Sequence, residues 1–363
     1  MRNRRLLIVD DSAVIRRALT AAFSGEPGVD VVGSASNGRI ALMKIPLLQP
    51  DVVVLDVDMP ELDGIQTLAA IRQTHPKLPV IMLNVATPQG AAATVDALTH
   101  GATDHVMKPD TAVPSDEALK SLGDELVSKV ALWCPGDFGD RPSRAQLRTP
   151  AGELQRPGGT RHVERVDVVA IGISTGGPGA LMDLIPAFAA GFPVPIVIVQ
   201  HMPPIFTKLL AERLAARAHI AVAEGQLADA LVPGGAWIAP GDFHLAVKRD
   251  GEAVRLVTHQ HPPENSCRPA VDVLFRSVAE VYGSHVLAVV MTGMGQDGVR
   301  GCAEIQAAGG QILVQDEASS VVWGMPGFVA RAGLADKIVP LDTLGDEIIG
   351  RVYRHRRTAC AAV

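Results

Sequence analysis

Short runs of Val, Ile and Leu, each stopping at a polar residue and each followed by a helical pattern, recur along this sequence, and few folds accept them. Leu6–Val9 stops at Asp10, Val52–Leu55 at Asp56 and Pro79–Leu83 at Asn84, with Val29–Val32 and His105–Met107 as further runs. Such runs are apolar on both faces, so they need cover on both sides, which a parallel sheet with helices on each face supplies. Between them, Ser12–Phe23 carries Val14, Ile15, Ala18 and Leu19 at helical spacing. A last helix is expected over Asp116–Ala131, capped by Ser115 and buried through Leu119, Leu122, Leu126 and Val130. The expectation for residues 1–132 is an α/β domain, doubly wound and flavodoxin-like.

The pattern then stops. Residues 133–165 are rich in Gly, Pro and Arg and poor in large apolar groups, a composition that does not offset its own ordering entropy. They are expected to form a linker. A second α/β domain is expected over 166–356, Rossmann-like, with 357–363 as a tail. Its buried-strand candidates are Val166–Ile173, Pro195–Gln200, Val286–Met291 and Ile312–Val314, and its helical patterns Pro204–Ala216, Pro269–Tyr282 and Asp342–Tyr353. Leu245–Lys248 and Val254–Val257 flank Asp250-Gly251, which predicts an antiparallel hairpin with a type I′ turn.

Composition narrows the function classes. A length of 363 residues accommodates two cores, and a net charge of -6 argues against a nucleic-acid surface as the main purpose. The four cysteines, Cys134, Cys267, Cys302 and Cys360, form no CxxC pair and read as reduced thiols. Leu6–Val9 is too short for a signal peptide and no run is long enough to span a bilayer, so a cytoplasmic location without membrane insertion is expected.

Both expected domains place chemistry at strand ends, where open α/β sheets bind ligands. In the first, Asp10, Asp11 and Asp56 converge with Lys108. Carboxylates brought together repel and resist ionisation unless a cation is present; a hard divalent ion, Mg²⁺ by preference, answers that need. Asp56 is then a nucleophile towards a phosphoryl group, with the metal and Lys108 balancing the developing charge.

In the second, Gly172-Ile173-Ser174-Thr175-Gly176-Gly177 fits a strand–turn–helix nucleophile motif. On spacing alone, a Gly-rich turn cradling a nucleotide phosphate is an equal reading. His201 at the end of Pro195–Gln200 and Asp297 beyond Val286–Met291 tip the balance towards a Ser174–His201–Asp297 triad, in a chain order unlike that of α/β-hydrolases.

Residues 4–130 resemble a response-regulator receiver domain through Val9-Asp10-Asp11-Ser12, Asp56 with Met59-Pro60 and Asp63-Gly64, Gly101-Ala102 and Lys108-Pro109. The resemblance implies phosphorylation of Asp56 by a chemotaxis histidine kinase, with Mg²⁺ held by Asp10, Asp11, Asp56 and the carbonyl of Asp58. Two positions depart from the family: Asn84 stands where Ser or Thr contacts the phosphoryl group, and His105 where an aromatic switch residue is usual. The Asn84 amide is expected to remain able to donate to phosphate.

Residues 166–350 resemble the catalytic domain of chemotaxis-type protein-glutamate methylesterases. The matching segments are Gly172 to Pro178, Gln200-His201-Met202-Pro203, Ala239-Pro240-Gly241-Asp242 with His244, Arg268 to Phe275 and Met291 to Gly298. The resemblance implies a cofactor-free serine hydrolase with Ser174, His201 and Asp297 as its triad and Thr175 and Met294 at the oxyanion site. It would cleave glutamate methyl esters on chemoreceptors, with glutamine deamidation as a second outcome of the same chemistry. As a further hypothesis, the unphosphorylated receiver is expected to sit over the strand-end edge of the hydrolase and block substrate, with phosphorylation of Asp56 weakening that docking. His244 is expected to shape the site, His259 and His261 to hold no metal, and Arg268 to guide an acidic receptor segment or cap a helix. Arg354 to Arg357 is read as a solvated helix end. Rival readings are an esterase for another methylated sensory protein, a phosphorylation-controlled binding protein, and a DNA-binding regulator. The last would want a basic helix-turn-helix after the linker, where this sequence has buried strands.

Overall fold

The computed structural model describes residues 3–85, 87–109, 115–133, 165–354 and 356. The expected linker lies outside the described residues except at its two ends, and so do the tail 357–363, Cys134 and Cys360. The chain divides into two compact units between Gln155 and Arg156.

The first unit runs β1 (Arg4–Val9), α1 (Ala13–Phe23), β2 (Val29–Ala35), α2 (Gly38–Leu48), β3 (Val52–Asp56), α3 (Gly64–Thr74), β4 (Val80–Val85), α4 (Pro88–Thr99), β5 (Asp104–Lys108) and α5 (Asp116–Trp133). Its sheet has the order β2-β1-β3-β4-β5, with every neighbouring pair parallel. The β1 and β3 strands are buried because helices cover both faces, and Leu6, Ile8, Val54 and Ile81 pack with Leu19 and Phe23 of α1 and Leu122 and Leu126 of α5. Each of these side chains is worth about 1.5–3 kcal/mol of transfer free energy. Ser12 caps α1 by accepting the amide of Ile15, and Ser115 accepts that of Ala118 at the start of α5. The buried stripe of α1 is Ile15, Leu19 and Phe23; Val14, expected to belong to it, is half exposed because it sits one position off that face.

The second unit contains β6 (Val168–Ile173), α6 (Gly177–Leu184), β7 (Ile196–Gln200), α7 (Phe206–Ala215), β8 (Ala221–Glu224), β9 (Gly235–Ile238), β10 (His244–Asp250) and β11 (Ala253–His259). It continues with α8 (Val271–Tyr282), β12 (Val286–Val290), α9 (Val299–Ala307), β13 (Gln311–Gln315), α10 (Met325–Arg331), β14 (Lys337–Val339) and α11 (Leu341–Tyr353). Seven strands form one sheet of order β14-β13-β12-β6-β7-β9-β8, parallel throughout. The winding runs outward from β6 and β12 in opposite directions, so the switch point lies between them.

β10 and β11 form the expected antiparallel hairpin, but the turn is shifted by one residue. Asp250 pairs with Ala253, leaving Gly251-Glu252 as the two-residue loop. Gly251 has φ 60° whereas Glu252 is not left-handed, the signature of a type II′ turn rather than type I′. Among the described residues, no helix is long and apolar enough to cross a membrane.

Candidate active site and acidic pocket

Asp10 closes β1 and Asp56 ends β3, at the switch point of the first sheet. Both are buried, Asp11 is exposed, and the three offer oxygens within 4.8 Å of one another. Lys108 at the end of β5 lies 2.6 Å from Asp56 Oδ1 and 3.3 Å from Asp10 Oδ2. Burial and the charge of Asp10 outweigh Lys108 and push the Asp56 carboxyl up to about 7; burial likewise raises Asp10. For Lys108 the balance goes the other way. Burial alone would lower its pKa, but Asp56 and Asp10 raise it, so the amine stays charged. Beyond the Lys108 ion pair, neither oxygen of Asp56 has a hydrogen-bond partner among the described residues. An oxygen-rich, buried and under-compensated set of this kind fits a hard divalent cation. Asp58, exposed two residues past β3, places its carbonyl on the same loop.

Asn84, expected to offer its amide to phosphate, spends it on α4 in this structure. Its Nδ2 donates to Gly90 O at 2.6 Å and Thr94 Oγ1 at 3.0 Å, while Oδ1 accepts the Val85 amide at 2.7 Å. Both amide hydrogens are committed to α4, so the side chain has none left for a phosphoryl oxygen. His105 is on β5, three residues before Lys108. Burial and the nearby Lys129 charge lower its pKa to about 4 against a smaller pull from Asp104, which makes it a neutral ring.

In the second unit Ser174 follows β6, His201 follows β7 and Asp297 lies past β12, three adjacent strand ends at the switch point. Gly176, with φ 78°, turns the chain into α6, a conformation that costs glycine nothing. Gly293 permits the loop after β12 to close on Ser174, since a Cβ there would fall 2.7 Å from Ser174 Cβ. Thr292 ties this loop down: its hydroxyl donates to Thr175 O at 2.9 Å and its amide donates to Gln315 Oε1 at 2.8 Å. Gln200 Nε2 donates to Ser174 O at 2.9 Å.

His201 Nε2 donates to Asp297 Oδ2 at 2.8 Å. The remaining acceptor sites of Asp297 are filled by the amides of Val271, Asp272 and Gly298 and by Nδ2 of Asn265. α8 begins at Ala270 with no side-chain cap of its own, so Asp297 caps it from another element, and the helix N-terminus favours the carboxylate. Burial alone would raise its pKa; the bond to His201, that ring's charge and the helix amides lower it. For His201, burial opposes the charged ring, but hydrogen bonds to Asp297 and Cys267 and their charges raise its pKa to about 9.

Because a carboxylate only accepts, the His201 nitrogen left to work as a base is Nδ1. That atom faces Cys267 Sγ at 3.6 Å, and the Ser174 hydroxyl makes no hydrogen bond among the described residues. Thr175 is half-buried and Met294 exposed. Neither backbone amide has a partner among the described residues, which leaves two donors beside Ser174.

Sequence reading missed Asn265 and Cys267. Asn265 bridges Asp297 at 2.8 Å and Asp272 at 2.9 Å. Both sit in a loop with no motif spacing, and only their place just before Arg268 to Phe275 pointed to them. Arg268 neither caps a helix nor reaches outward. It forks onto Asp242 at 2.5 and 2.9 Å and holds Gln260 O and His261 O. His244 is structural, as expected: it is buried, bonded to Pro262 O at 3.1 Å, and accepts the Ala270 amide at 3.2 Å. His259 and His261 stack with ring centroids 4.2 Å apart. Arg356, placed in the solvated end, instead reaches Val166 O and Asp167 at 3.1 Å, while residues 355 and 357 lie outside the described set.

Residues 169–348 match the family model described as CheB methylesterase, and residues 6–115 that of the response regulator receiver domain. A protein-glutamate methylesterase/protein-glutamine glutaminase of Trichodesmium erythraeum is 51% identical over 96% of this chain and 99% of its own. One of Nocardioides sp. is 45% identical over 97% of this chain and 96% of its own. The CheB methylesterase catalytic domain of Thermotoga maritima superposes on 51% of this chain and 98% of its own, with a TM-score of 0.50 and 41% identity.

Proposed function

Since this chain belongs to the CheB methylesterase family, with a receiver domain ahead of the catalytic domain, we propose that it removes methyl esters from receptor glutamates through Ser174, His201 and Asp297. It is a protein-glutamate methylesterase of a two-component chemosensory pathway, under phosphorylation control, and a protein-glutamine glutaminase by the same relationship. With these residue roles we also propose a cytoplasmic location and two partners, a histidine kinase as phosphodonor and methylated chemoreceptors as substrate.

The reaction is acyl transfer in two steps. Ser174 Oγ attacks the γ-carbonyl as Nδ1 of His201 takes its proton. Asp297 holds Nε2–H and balances the imidazolium. The amides of Thr175 and Met294 receive the oxyanion. His201 returns the proton to the departing methoxide, which leaves as methanol. Water, deprotonated by His201, then frees the carboxylate and Ser174. A side-chain amide follows the same course, with ammonia leaving.

In the receiver, Asp10, Asp11, Asp56 and the carbonyl of Asp58 would hold Mg²⁺, which supplies charge neutralisation for phosphoryl transfer. Asp56 is the nucleophile and Lys108 the fixed cation beside it. The observation that carries the catalytic reading is the bond between His201 and an Asp297 whose other lone pairs are all engaged. Methanol release from methylated receptor membranes tests it. Ser174→Ala should lower release by about 10³-fold or more, and a small phosphodonor should raise release only where Asp56 is present. Release that persists in Ser174→Ala removes Ser174 as nucleophile.

A further inference from the structure

The imidazole of the proposed base has two neighbours competing for one atom. Nε2 is committed to Asp297 at 2.8 Å, and Nδ1 lies 3.6 Å from Cys267 Sγ. Ser174 hangs from β6, next to the strand that carries His201, and its hydroxyl makes no hydrogen bond among the described residues. Nothing in the acyl-transfer sequence needs a thiol at this place.

We propose that Cys267 is a positioning residue of the esterase. In the resting enzyme its thiol occupies Nδ1 of His201, and Ser174 must displace it before the hydroxyl can be activated. This inference rests on the methylesterase reading for its kinetic consequence, but not for the contact itself. The nitrogen that must take the Ser174 proton is the one against which the sulfur sits, so while that contact lasts the hydroxyl has no acceptor. Cys267 thereby limits how often the base is open to Ser174.

Other groups around the ring do not account for this. Asp297 acts on Nε2 and remains in every state of the cycle. Asp272 is held one bond further away, behind Asn265. Arg268 is turned onto Asp242 and Arg276 onto Glu264, so the two nearby cations are spent outside the site. Cys302 is fully buried and bears on Asp272, not on His201. Loop 260–270 is anchored independently of the sulfur, through Arg268, His244 and Asn265, so removing the thiol should leave the loop in place.

The test pairs a kinetic with a spectroscopic readout on the full chain. The pH dependence of kcat/KM for methanol release is measured for wild type, Cys267→Ala and Cys267→Ser. The ring resonances of His201, assigned by their loss in His201→Ala, are followed through the same pH range by nitrogen-15 NMR. In Cys267→Ala the Nδ1 signal of His201 should shift, with no thiol left to displace, and kcat/KM for methanol release should rise by up to about tenfold. Cys267→Ser keeps a hydrogen-bonding group in that place, guards against a loop defect, and should fall between. A His201 Nδ1 signal that stays put in both variants would overturn the proposal, as would a loss of rate in Cys267→Ala. Absence of methanol release from every protein would count against the methylesterase reading alone, since the NMR titration still decides the thiol contact.

Discussion

The acidic pocket of the first unit and the triad of the second are built in the same place, at the switch point of a parallel sheet, and treat a buried carboxylate in opposite ways. Asp297 has every lone pair filled by His201, Asn265 and the amides of Val271, Asp272 and Gly298. Asp56 has only the Lys108 ammonium, 2.6 Å from Oδ1, among the described residues, and nothing on Oδ2. Burial pushes both towards protonation, yet the pKa of Asp297 falls and that of Asp56 rises to about 7. Burial therefore does not decide the charge state; the supply of donors does. The carboxylate proposed to steady His201 is saturated, and the one proposed to take a phosphoryl group and share a cation is left open.

The largest expected break between the two is mutational. Asp297→Asn keeps the shape but loses the acceptor that fixes the His201 tautomer, and should lower kcat for methanol release by about 10³–10⁴-fold. Asp56→Asn should leave unstimulated release intact and remove only its response to a phosphodonor, read in the same assay.

Next in size is the pH dependence of phosphorylation. Asp56 must be ionised to attack, and its pKa is raised to about 7, so its charged fraction falls as pH drops through that value. Phosphorylation of Asp56 by acetyl phosphate should lose about tenfold from pH 8 to pH 6 at low Mg²⁺. Raising Mg²⁺ should move the limb to lower pH. A rate flat over that range at low Mg²⁺ would mean that Asp56 is ionised without help.

Asn265→Ala removes one donor from Asp297 and leaves Asp272 without its amide partner. A loss of about tenfold in kcat is expected, with about 1 kcal/mol lost from denaturant unfolding. The smallest effect concerns Asn84. Asn84→Thr exchanges an amide committed to Gly90 and Thr94 for a hydroxyl able to turn towards the phosphoryl group. Activation by phosphodonor should rise a few-fold, or phosphorylated Asp56 should persist longer, by methanol release and phosphate turnover.

Much of this molecule could be read from local patterns. The doubly wound fold followed from runs such as Leu6–Val9 and Val52–Leu55, because a strand apolar on both faces has only one kind of home. Strand ends then pointed to Asp10, Asp56, Lys108, Ser174, His201 and Asp297, since a parallel sheet gathers its C-terminal ends on one edge. The errors were local in kind. The hairpin turn moved by one residue because register is set by pairing along the whole of β10 and β11, beyond the reach of the Asp250-Gly251 signal. Val14 left the core because a single helical position changes the face.

Periodicity and spacing, which act between near neighbours, thus determined the architecture and which strand-end residues are gathered, Asp10, Asp56 and Lys108 in one unit and Ser174, His201 and Asp297 in the other. Saturation of hydrogen bonds could not be decided there. Asn265 and Cys267 meet Asp297 and His201 across 32 and 66 positions of chain, and Asn84 spends its amide on α4. Those contacts arise only when separate elements pack, because a donor's direction depends on the backbone that carries it and on which acceptor the fold brings within about 3 Å. The residues that do the chemistry are legible as types at strand ends, whereas their charge states follow from neighbours that only folding supplies.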